Sequence, residues 1–72
     1  MYRSDMVKII KEMLDAYNFD EIKKAHKWMK RIFGFAWCGA VLKDSLTYEY
    51  NIIDDDGDIC HIYADWWNGI VE

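Results

Sequence analysis

Residues 47–66 place two alternating stretches on either side of an acidic turn, which leaves them few ways to fold. From Thr47 to Ile53, Tyr48, Tyr50 and Ile52 fall on one side of an extended chain, and Thr47, Glu49, Asn51 and Ile53 on the other. Asp54-Asp55-Asp56-Gly57-Asp58 is a turn signal, with Gly57 free to take the left-handed conformation. Ile59 to Trp66 is the returning strand. A three-residue loop of Asp55, Asp56 and Gly57 sets Asp54 opposite Asp58. It also pairs Ile52 with Cys60, Tyr50 with Ile62 and Tyr48 with Ala64 on one apolar face. The other face carries Ile53–Ile59, Asn51–His61 and Glu49–Tyr63. A slip of one residue destroys that match, because the side-chain period is two.

The segment before this hairpin is less constrained. Lys43-Asp44-Ser45 signals a turn, so residues 35–42 read as a first strand. Phe35, Trp37 and Val41 then join the Tyr48 face, with Gly39 opposite Tyr50, while Ala36, Cys38, Ala40 and Leu42 line the far face. A short buried helix is the rival, since Ala, Leu and Cys favour strands only weakly.

Residues 1–33 carry helical spacing instead. Met6, Ile10, Met13, Leu14 and Tyr17 share one helical face over about residues 5–17, with Ser4 as the expected N-cap and Asp5 in the first turn. Asn18 is the expected cap of a second helix over 19–33, with Glu21 closing a capping box and Tyr17 and Ile22 as a hydrophobic staple. Its apolar face is Ile22, Ala25, Met29, Ile32 and Phe33, and Gly34 stops it. The expected fold is α+β: a single domain, 1–72, in which a two-helix hairpin packs on one face of a three-stranded antiparallel meander.

Small domains of this size need large buried side chains, and aromatics supply them here at 17% of residues. Two cysteines, Cys38 and Cys60, are too few for a disulfide framework. The charged N-terminal residues lack the pattern of a secretory leader. The longest apolar run, Ile32–Leu42, falls short of the roughly 20 residues that span a bilayer. The expected location is cytoplasmic, with no membrane partner.

Motifs for chemistry are weak. In a calcium-loop register that puts Gly57 at the glycine position, Ile52 and Tyr63 occupy ligand positions; starting from Asp54 puts Ile59 where glycine is required. His26, Cys38, Cys60 and His61 lack zinc-ligand spacing, and Cys60 and His61 point to opposite faces of one strand. Ser4 and Ser45 read as cap and turn residues, and no glycine-rich phosphate loop is present. The reading is therefore no enzyme, no metal and no cofactor.

Charge is divided along the chain. Residues 1–33 hold eight basic and five acidic groups, net +3, whereas residues 34–72 hold one basic and eight acidic, net −7, giving −4 in all. Lys23, Lys24, Lys27, Lys30 and Arg31 project from the second helix as a basic stripe with Trp28 at its margin. With helices on one side only, the outer sheet face would expose Tyr63, Trp67, Ile53 and Ile59 beside Asp54, Asp55, Asp56 and Asp58, unless Asn68–Glu72 folds back over it. The expected function is a small non-enzymatic protein-binding module that contacts a protein partner or a second copy. A stoichiometric inhibitor of the kind phage or mobile elements use against host defences, including anti-CRISPR-like proteins, is the nearest analogy. The alternative is a small nucleic-acid-binding regulator using the basic stripe, although a pI near 5.0 works against nonspecific phosphate binding.

Overall fold

A computed structural model describes all 72 residues. Helix α1 spans Arg3–Ala16. Its cap is Tyr2 rather than Ser4: the Tyr2 N–H donates to Asp5 Oδ2 at 3.2 Å, and the Asp5 and Met6 N–H groups donate to the Tyr2 carbonyl. Ser4 lies inside the first turn. At the joint, Asn18 Oδ1 accepts the Asp20 N–H at 3.0 Å and caps a 3-10 turn, Phe19–Glu21, that runs straight into α2, Ile22–Phe33. The expected box closes on one side only, because the Glu21 carboxylate points to Lys24 at 3.9 Å. Asn18→Ala is expected to cost about 1 kcal/mol through the loss of this cap. Denaturant midpoints measure it, and an unchanged midpoint would mean that water serves the Asp20 N–H equally well.

Gly34, at φ 57°, ends α2, and its N–H donates to the Lys30 carbonyl. A second 3-10 turn, Gly34–Ala36, follows, so the first strand begins two residues later than the sequence suggests. The sheet is antiparallel in the order β1 (Trp37–Asp44), β2 (Thr47–Ile53), β3 (Ile59–Asp65), β4 (Ile70–Val71). It has four strands rather than three.

Every expected β2–β3 pair is present, from Tyr48–Ala64 to Ile53–Ile59. The faces of β1 are not as expected. Trp37 pairs with Ile52, but a bulge at Cys38 then advances the strand by one residue, so Ala40 faces Tyr50 and Gly39 faces Asn51. Gly39 has φ 133°, a conformation that residues with a Cβ rarely adopt, and this permits the irregularity. Val41 therefore turns outward opposite Glu49, and Phe35 stands clear of the sheet altogether.

α2 packs on β1, and α1 on β3 and β4. Between the layers Met6, Ile10, Ala25, Met29, Tyr50, Ile52, Ile62 and Ala64 are fully buried, with Ile22, Phe33 and Trp66 almost so. Ile32, expected on this face, is 44% exposed. No helix is long and apolar enough to cross a membrane.

Candidate functional site

The hairpin turn is built by one side chain. Asp54 Oδ1 accepts the N–H groups of Asp56 and Asp58 at 2.9 and 3.0 Å, while the Asp54 N–H donates to the Asp58 carbonyl. These donors, Asp58 first, hold the Asp54 carboxyl below its ordinary pKa. Asp55, Asp56 and Asp58 remain exposed, and Asp55 pairs with the Met1 amino group. The turn is thus a preformed acidic knuckle, with its cross-strand pair Ile53–Ile59 directly behind it.

The outer sheet face is more polar than its sequence suggests. At its centre Glu49 and Tyr63 are cross-strand partners, and the interaction of carboxylate with hydroxyl lowers the Glu49 pKa and raises that of Tyr63. Lys43 Nζ lies 3.5 Å from Glu49, and His61 Nδ1 lies 2.5 Å from Asn51 Oδ1. The bulge causes the difference, since it removes Ala40 from this face and brings Val41 opposite Glu49. Apolar area survives around the network at Ile53, Ile59, Val41 and the ring of Tyr63.

Trp67 does not join this row. Asp65 accepts the N–H groups of Trp67 and Asn68 and the Asn68 side-chain amide, ending β3 in a tight turn. Trp67 then stacks on Phe19 in the 3-10 turn that leads into α2, with ring centroids 5.4 Å apart, and stays 70% exposed. The tail does not fold across the outer face either. It pairs in the plane of the sheet as β4, with reciprocal bonds between Tyr63 and Glu72 of 2.8 and 2.9 Å.

Lys23, Lys24, Lys27, Lys30 and Arg31 are all exposed on α2. Only Lys24 has a carboxylate within ion-pair distance, and Arg31 lies over the Trp28 ring at 5.0 Å. Cys38 and Cys60 are free thiols.

Beneath the sheet lies a polar chain that sequence reasoning passed over. Trp66 Nε1 donates to the Tyr50 hydroxyl at 2.9 Å, and that hydroxyl lies 2.7 Å from His26 Nε2. Tyr48, Tyr50 and Trp66 all meet the His26 ring edge to face. Burial raises the Tyr50 pKa and lowers that of His26. A helical histidine three residues before Met29, facing a Tyr-x-Tyr strand, was the available signal. Tyr50 and Trp66 are buried and His26 is half-buried, so the chain ties α2 to the sheet at the edge of the core.

No protein-family model, curated protein or solved structure matches the chain. Function therefore rests on geometry alone.

Proposed function

We propose that the chain is a non-enzymatic protein-binding module whose contact surface is the outer face at the hairpin end: Ile53, Ile59 and Tyr63, bordered by Asp54, Asp55, Asp56 and Asp58. One observation carries the reading. β4 pairs in the plane of the sheet and both helices lie on the opposite face, so Ile59 and Tyr63 stay 54% and 42% exposed on a rigid surface that no element covers. Cross-strand pairing fixes these side chains in advance, which lowers the ordering cost of binding. The acidic knuckle favours a partner with a basic rim, raising its on-rate more than its affinity. An inhibitor that blocks a basic, nucleic-acid-binding protein surface would use this combination.

Ile59→Asp keeps the fold, because the side chain faces solvent, and is expected to abolish capture of a partner that wild type retains. Equal capture by the variant would exclude this face. A second reading draws on the basic stripe, where Lys23, Lys27, Lys30 and Arg31 have no carboxylate partners: binding of nucleic acid through phosphate contacts. Titration of random duplex DNA and RNA at two salt concentrations tests it, and no binding at low salt removes it.

A further inference from the structure

A cavity of about 400 Å³ opens at the end of the sheet away from the acidic turn. A cross-strand row lines it: Asp44 of β1 pairs with Thr47 of β2, which pairs with Asp65 of β3. Residues directly opposite one another across antiparallel strands share a face, so the two carboxylates stand on either side of Thr47. Trp67 and Asn68 also line the cavity, and no lysine or arginine does. Phe19 stacks on one face of the Trp67 ring, yet the residue is 70% exposed, so the other face is open. Asp65 is held in place by the Asn68 side-chain amide and the N–H groups of Asn68 and Trp67, which keep its carboxyl below the ordinary pKa. Neither Asp44 nor Asp65 has a cation within ion-pair distance. Lys43, the one basic residue of 34–72, turns to Glu49 instead.

Two carboxylates without cations beside an open indole face fit a group that is both positively charged and flat. We propose that this cavity binds an arginine side chain presented by a peptide, its guanidinium stacking on the free face of Trp67 and donating to Asp44 and Asp65. A guanidinium is planar, always charged and weakly hydrated, and it offers five N–H donors in a rigid fork. It therefore stacks on an aromatic face and bonds carboxylates at its edge in one pose. A lysine ammonium has no flat face and holds its water more tightly. Phe19 behind the indole and the three bonds to Asp65 fix the ring and one carboxylate in advance, which lowers the ordering cost of binding. The net −7 of residues 34–72 draws a cationic peptide toward this half of the molecule. Along β2, Thr47 is six residues from Ile53, about 20 Å, so the cavity is separate from the partner face at the hairpin end and does not rest on that reading.

Titration of the whole protein with acetyl-Gly-Arg-Gly-amide, followed by amide and indole NMR shifts, tests the proposal. The same peptide with lysine in place of arginine is the comparison. Saturable shifts are expected at the Trp67 indole, the Asn68 side-chain amide and the backbone of residues 44–47, with half-saturation at about 1–10 mM for so small and open a site. The lysine peptide should bind several-fold more weakly, and added salt should weaken both. Asp44→Asn keeps the size of an exposed side chain, so the thermal transition should stay in place while affinity falls roughly two- to fivefold. Trp67→Leu should lower it by a similar factor and abolish the preference for arginine. Ile59→Asp should bind the arginine peptide as wild type does, which separates this cavity from the proposed partner face. Shifts that never saturate overturn the proposal, as do shifts centred on residues 54–58, equal binding of the two peptides, or affinity indifferent to both Asp44→Asn and Trp67→Leu.

Discussion

Trp66→Ala is expected to lower stability by about 3–5 kcal/mol, the usual range for truncating a buried tryptophan. A chain of this length has only about 4–11 kcal/mol to lose. Trp66 is 5% exposed and directly follows β3, the strand that α1 packs on and β2 pairs with. Removing it opens a void and also takes away the Nε1–H that the buried Tyr50 hydroxyl accepts at 2.9 Å. Trp66→Phe separates the two effects. It keeps much of the ring volume but leaves the hydroxyl short of a donor, so its cost should be smaller. Denaturant midpoints should fall in the order wild type, Trp66→Phe, Trp66→Ala. Equal midpoints for the two variants would mean that cavity volume contributes little here.

Acidification through pH 6.5 is expected to weaken the fold through His26. The Tyr50 hydroxyl has a single proton. It accepts from Trp66 and lies 2.7 Å from His26 Nε2, so its own proton is accepted there when His26 is neutral with the ring proton on Nδ1. A proton added at Nε2 would set two donors against each other. The groups facing the ring, Tyr48, Tyr50 and Trp66, offer no negative charge to compensate. The folded-state pKa is lowered, with burial as its cause, so the unfolded chain takes up a proton before the folded one does. The contribution is therefore fully present above the ordinary value of 6.5 and is lost as pH falls from there through the folded value. An unsatisfied buried donor costs about 1–3 kcal/mol, and the half-buried ring places this case near 1 kcal/mol. Glu49, Asp54 and Asp65, whose pKa values are lowered, act only at lower pH, where carboxylates titrate. Midpoints measured between pH 8 and 5 should fall for wild type and stay flatter for His26→Gln. Parallel curves would mean that His26 titrates freely in the fold.

The β2–β3 hairpin was legible in the sequence because three constraints agreed. The acidic turn fixed the loop length, and alternation fixed the faces of both strands. β1 had only one such constraint. A single bulge at Cys38, licensed by Gly39, exchanged the faces of Ala40 and Val41, and alternation carries no mark of a bulge. Trp67 failed for a related reason: Asp65 captures the next two backbone N–H groups and ends the strand before period two reaches it. The candidate interface is therefore smaller at Trp67 and more polar at Glu49 than the pattern implies. Phe35, expected on the inner face, is fully exposed instead, because a 3-10 turn carries it away from the sheet. Such a turn leaves no hydrophobic period to read.

Chain order and spatial order coincide almost everywhere in this fold. Each strand pairs with its neighbour in sequence, α2 packs on the strand that follows it, and α1 packs on α2. One arrangement departs from this: α1 also packs on β3 and β4, tied by Arg3 to the His61 carbonyl and by Lys11 to the Gly69 carbonyl, each across 58 residues. Loops that close short distances cost little entropy, so α2 and the meander can assemble rapidly from local contacts. The longest loop to close is the docking of α1, whose inner face, Met6 and Ile10, packs on α2 nearby but also on β3 and β4 from the far end of the chain. The costliest closure in this topology is thus the meeting of its two ends.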